Sequence, residues 1–176
     1  PLRLTAAILC SLVKYLKSRL QPPTIEPDIS TKYDALFTWE IVDWFELTNH
    51  EYSSSFQAGG FTWKLIICLQ GNDISLYLAV VSPGTNNQGQ SRYTMGSDWV
   101  ICGQFVAALW NPNDTEAMVL KNANHRFTQM NPSWGFAQFF KNDDILSPIC
   151  SNGSCLVSVN GKVNISVYLR ILDDPT

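Results

Sequence analysis

What this sequence has little of narrows it at once. Its only histidines are His50 and His125, so chemistry that takes a general base or several metal ligands from imidazole has little to draw on. Neither sits in an HExxH pattern, no Gly-rich phosphate loop follows a strand, and no GxSxG is present. Twelve Lys and Arg stand against fifteen Asp and Glu, a net charge of −3. That balance argues against the clustered basic face that phosphate contacts need, and no nucleic-acid partner is expected.

The cysteines are five, an odd and scattered set: Cys10, Cys68, Cys102, Cys150 and Cys155. They do not form the dense, even framework of a small secreted scaffold, and a reducing compartment is expected. Cys150 and Cys155 bracket SNGS, which leaves a strand-end disulfide or half a metal site open to them. No second Cys/His pair sits at ligand spacing, so neither a metal nor a cofactor is expected. The sequons at Asn113, Asn152 and Asn164 bear only on a secreted chain, and the third lies inside an alternating strand pattern.

What is present is apolar: 45% of 176 residues are hydrophobic, enough for one ordinary domain with an appendage. The chain opens without methionine and closes on Asp173-Asp174-Pro175-Thr176, which predicts a fragment of a longer protein. In LTAAILCSLVKYLKSRL, residues 4–20, the side chains of Leu9, Leu12, Val13, Leu16 and Leu20 recur at the spacing of one helix face, with Lys14, Lys17 and Arg19 elsewhere. This amphipathic helix, residues 1–20 with its flank, is read in three ways: packed on a protein surface, lying on a membrane surface, or left from a secretory signal. It is too short to span a bilayer. Residues 21–35 hold Pro22, Pro23 and Pro27 and read as a linker. Tethered in this way, the helix is open to docking on its own domain, on a neighbouring copy, or as a partner segment joined to it.

From residue 36 to 176 the pattern is that of short strands. FTWEIVD alternates Phe37, Trp39 and Ile41; TWKLIICL (62–69) and ISLYLAVV (74–81) flank a Gly71-Asn72 turn; DWVICGQFVAAL (98–109) reads as a longer strand. KVNISVYLRI (162–171) turns Val163, Ile165, Val167, Leu169 and Ile171 inward, and Asn160-Gly161 predicts a hairpin with residues 155–159. The polar, glycine-rich stretch 82–97 reads as a surface loop. Seven or eight short strands, each with one apolar face, predict an all-β antiparallel β-sandwich.

No candidate nucleophile stands out. Cys68 and Cys102 lie in apolar strands as small buried hydrophobes, His125 reads as a backbone-bonding side chain at a strand start, and Asp143-Asp144 as a turn or cap. No catalytic residue is expected. Sandwiches of this kind act by offering a sheet edge or groove to a peptide.

The order of motifs then carries a resemblance. F-x-W-x-I-x-x-W from Phe37 to Trp44, G-G-x-x-W-K-L from Gly59 to Leu65 and W-G-F-x-x-F from Trp134 to Phe139 occur in the order of a MATH, or TRAF-like, domain, over about 37–172. Within that family the chain resembles the N-terminal domain of fungal ubiquitin-specific proteases related to human ubiquitin-specific protease seven. The resemblance implies a non-catalytic interaction module of a deubiquitinating cysteine protease that recruits a substrate or localising adaptor; the alternative is the MATH domain of a BTB-type ubiquitin-ligase substrate adaptor. It implies a cytoplasmic or nuclear setting, endomembranes being reached only through an adaptor, and a protein partner bound as a short peptide or amphipathic helix. An extended peptide would lie beside Ser133, Trp134, Gly135, Phe136, Ala137 and Gln138. There Trp134 is a flat wall, Gly135 leaves room for a second backbone, and Phe136, Phe139 and Phe140 are core candidates. Two positions depart from the pattern: Ser133 stands where such proteases carry an acid, and Ala137 where they carry a small polar residue.

Overall fold

A computed structural model describes residues 6–20, 31–83, 99–150 and 152–173. Helix α1 (Ala6–Arg19) precedes β1 (Thr31–Ile41), the short strands β2 (His50–Tyr52) and β3 (Phe56–Ala58), then β4 (Phe61–Gln70) and β5 (Asp73–Pro83). There follow β6 (Val100–Asn111), β7 (Asp114–Thr128), β8 (Ser133–Lys141) and β9 (Val163–Leu172). One sheet is ordered β1-β9-β6-β7 and the other β2-β4-β5-β8, with β3 also paired to β4. The all-β, two-sheet antiparallel architecture expected from the sequence is present, with nine strands among the described residues where seven or eight were expected. Among the strands not read from the sequence are β2 and β3, which pair with successive stretches of β4 (His50↔Cys68, Phe56↔Trp63) and are too short to show an alternation.

Alternation builds the core. In β4, Phe61, Trp63, Leu65 and Ile67 are buried, and the antiparallel register sets Leu65 opposite Leu78 and Ile67 opposite Leu76. The other sheet answers with Phe105, Leu109, Phe127, Val167 and Leu169. Trp63, fully buried, meets the edge of Phe127 at 5.1 Å between ring centres, and its Nε1–H donates to the Ala58 carbonyl at 3.0 Å. The large ring is thus buried without leaving a donor unpaired.

Several expectations are corrected. Residues 155–159 form no strand: the turn at Gly161 closes (Gly161 N–H to Ser158 O, 2.9 Å), but Leu156 and Val157 dive into the core. Both edges of β9 are already taken, since Val167 lies between Phe37 of β1 and Ala107 of β6. β1 begins at Thr31, inside the stretch read as linker, because the prolines all lie upstream and the backbone from Thr31 on pairs with β9. Ser82 and Pro83 end β5 opposite Thr62 and Phe61, and 84–98 fall outside the described residues. His125 stands near the end of a 15-residue strand, not at a strand start. The core-facing row of β7 runs Val119, Lys121, Ala123, His125, Phe127, so its alternation is muted by two polar residues.

Candidate functional site: the helix seat and the free edge of β8

Helix α1 lies on the outer face of the β1-β9-β6-β7 sheet. Leu12, Leu16 and Leu20 are buried against Val106, Ala108, Trp110 and Tyr168, with Val13 half-buried beside them. The side chain of Leu9 falls outside the described residues. Trp110, under the helix, donates from Nε1 to Ser166 Oγ at 2.9 Å, and Ser166 shares a 2.8 Å hydrogen bond with Thr38. The helix C-terminus is held by polar contacts: Lys17 Nζ to Asp34 Oδ2 at 3.3 Å and Asn122 Nδ2 to the Arg19 carbonyl at 3.1 Å. Burial, then the hydrogen bond and charge of Asp34, push the Tyr168 phenol up to about 12. Toward its N-terminal half the helix leaves a cavity of about 580 Å³ between Ile8, Leu12 and Tyr15 on one side and Trp110 and Met118 on the other.

The second region is β8, the last strand of its sheet, paired on one side with β5. Ser133, Ala137 and Gln138 are exposed, Gly135 and Phe136 half-buried, and Trp134 is 46% exposed. Phe139 is buried, while Phe136 and Phe140 pack on the core from its margin. The Phe136 ring lies 6.1 Å from Phe105 and 5.7 Å from Phe139. Gly135 faces Tyr77 across the ladder, in a row with Ile66 and Tyr52 over the outer face of the sheet. A Cβ on Gly135 would strike the Leu76 carbonyl and come to 2.6 Å of Tyr77 Cα. The second backbone that this glycine admits is therefore that of β5 in its own sheet.

Two residues of β7 meet β8 that the motif reading did not include. The His125 imidazole stacks on Trp134, ring centres 4.3 Å apart and planes 5° from parallel, with its edge toward Phe127. Lys121 Nζ donates to the Gln138 carbonyl at 2.5 Å and stands 5.9 Å from the centre of the Phe136 ring. On the β5 side, Ser75 Oγ donates to the Ala137 carbonyl at 2.6 Å and Gln138 Nε2 to Asp73 Oδ2 at 3.2 Å. These residues, with Gln70 and Tyr77, line a depression of about 370 Å³. The signal in the sequence was two polar side chains on an otherwise apolar row. Only the edge position of β7 and β8 gives it meaning.

His125 carries a pH dependence. Burial holds its pKa below the ordinary 6.5, a hydrogen bond with the Asn131 backbone acting the other way, and Nε2 is buried with no hydrogen-bond partner among the described residues. The unfolded chain therefore takes up this proton first, and stability falls as pH drops from about 6.5 toward the folded value. The urea midpoint is expected to decrease between about pH 7.5 and about pH 5.5, and His125→Phe to remove that part of the decrease. An equal decrease in the variant would assign it to another group.

The remaining candidates are placed away from any reactive arrangement. Cys68 and Cys102 are half-buried, not core residues, because strand alternation puts them on the sheet faces opposite the core. Burial pushes the Cys68 thiol up, and burial followed by the charges of Asp114 and Glu116 does the same to Cys150. A raised pKa keeps these groups as thiols near neutrality. Cys150 and Cys155 are unbonded, Cys155 Sγ donating to the Leu146 carbonyl at 2.9 Å. Among the described residues no three His, Cys, Asp or Glu side chains are placed to hold a metal, and no helix is long and apolar enough to cross a membrane.

Comparison with known proteins finds ubiquitin carboxyl-terminal hydrolases among the relatives of this chain. The chain is 33% identical over 161 residues to ubiquitin carboxyl-terminal hydrolase 15 of Saccharomyces cerevisiae, covering 88% of this chain and 13% of that protein. It is 26% identical over 170 residues to ubiquitin carboxyl-terminal hydrolase 15 of Schizosaccharomyces pombe, 86% of this chain and 15% of that one. To ubiquitin C-terminal hydrolase 12 of Arabidopsis thaliana it is 30% identical over 131 residues, 72% of this chain and 10% of that one. The chain thus spans a small part of each relative's length. The family model of the MATH domain matches residues 36–161, and the chain belongs to that family of protein-interaction domains.

Proposed function

We propose that this domain recruits a substrate or adaptor to a ubiquitin carboxyl-terminal hydrolase, in the cytoplasm or nucleus, by adding an extended peptide of the partner to the free edge of β8. The observation that carries this is that, among the described residues, β8 pairs with β5 alone while Trp134 stands 46% exposed along it. Such an edge offers backbone hydrogen bonds, and a half-exposed indole supplies a rigid apolar wall at small entropic cost. Helix α1 occupies the outer face of the other sheet and so does not obstruct β8. The parent activity is carried over from the relatives as part of this proposal.

In the parent hydrolase, deleting residues 36–172 is expected to leave cleavage of a fluorogenic ubiquitin substrate intact and to change which ubiquitinated proteins accumulate or where the enzyme resides. Unchanged substrates and unchanged location would sink the proposal. Trp134→Ala is expected to weaken partner binding about tenfold and, because the stack on His125 is lost, to lower the melting temperature of a domain that still folds.

A further inference from the structure

We propose that Lys121 makes the edge of β8 a reader of acidic side chains, so that the peptide it takes carries Asp or Glu where its chain passes Gln138. This deepens the β8-edge proposal and rests on it. Lys121 sits on the core-facing row of β7, opposite Ala107 of β6 and between Val119 and Ala123, both packed against the core. An ammonium on such a row is costly unless it finds a partner. Because β7 and β8 are the last strands of their sheets, the side chain leaves through the seam between them and reaches Gln138 O and the face of Phe136. Among the described residues no carboxylate stands within ion-pair distance of it. An ammonium has three donors, and the Gln138 carbonyl uses one.

That contact sets a condition on any added strand. The Gln138 carbonyl, which a neighbouring backbone N–H would need, already holds Lys121. A neutral strand that displaces the ammonium gives it only water and the Phe136 ring in exchange. A strand with a carboxylate there supplies a new acceptor, and charge-assisted hydrogen bonds are about twice as strong as neutral ones. Ser133, at the other end of β8, is uncharged and adds no repulsion toward an acidic peptide.

The test uses the 176-residue chain and pooled decapeptide libraries that are identical except for a fixed central Glu, Gln or Lys. Retention of each library on the immobilised protein is measured, together with NMR shifts of the Trp134 indole and the Gln138 amide. The chain is expected to retain the Glu library about tenfold more than the Gln library. Lys121→Met, folded by its unchanged melting curve, should equalise the two, and Lys121→Glu should turn the preference to the Lys library. Equal retention of Glu and Gln libraries with shifts at Trp134 and Gln138 would overturn the acid preference and leave the β8-edge proposal standing. Retention that moves neither signal would overturn both.

Discussion

Gly135→Ala is expected to destabilise the domain by about 3 kcal/mol or more and to pull β8 off β5. The added methyl would meet the Leu76 carbonyl and Tyr77 Cα, backbone atoms of a strand paired on its other side with β4, so no side-chain rotation relieves it. The strand must move instead, and with it go the pairings Leu78↔Trp134 and Leu76↔Phe136. Denaturant unfolding and hydrogen exchange check this: the amides of β8 should lose protection first. Gly71→Ala is the contrast. Gly71 has φ +59° in the β4–β5 turn, with open space where the methyl would sit, so only the left-handed backbone resists, at about 1 kcal/mol. Equal costs at the two sites would mean that close strand approach is not why position 135 is glycine.

Leu16→Asp is expected to undock α1 and to cost on the order of 3 kcal/mol. Leu16 is fully buried among Val106, Ala108, Trp110 and Tyr168, so the change removes an apolar contact and sets a carboxylate in its place. The polar contacts at the helix end do not hold it alone, since Lys17 is mostly exposed and such a pair contributes under about 1 kcal/mol. A helix of 14 residues without its seat is marginal in water, so it should melt as it leaves. The measurements are loss of helical circular dichroism, loss of exchange protection in α1, and a red shift of Trp110 emission. Leu16→Met should leave all three unchanged. If the aspartate variant keeps its protected helix and melting temperature, the apolar seat is not what holds α1.

Much of the fold was legible because it is written in local periods. The two-residue alternation of β1 and β9, the Gly71-Asn72 turn and the helical spacing of Leu12, Leu16 and Leu20 each need only a few neighbouring residues to be seen. The expected hairpin of residues 155–159 with β9 failed because a turn signal says where a chain reverses, not which strand occupies the edge beyond it. Here β1 and β6 occupy both sides of β9. β7 was obscured for the opposite reason: Lys121 and His125 break the apolar row that would have announced it.

The sequence by itself determined a two-layer antiparallel domain, an amphipathic helix ahead of it, and the succession of Trp- and Gly-centred motifs, because all of these depend on spacing along the chain. Only the tertiary structure decided that the helix seats on β6 and β9, that Gly135 makes room for β5, and that Lys121 and His125 meet Gln138 and Trp134. The last two contacts join residues on the edges of two different sheets. Which strands become edges is settled by long-range pairing, and no local period of side chains records it.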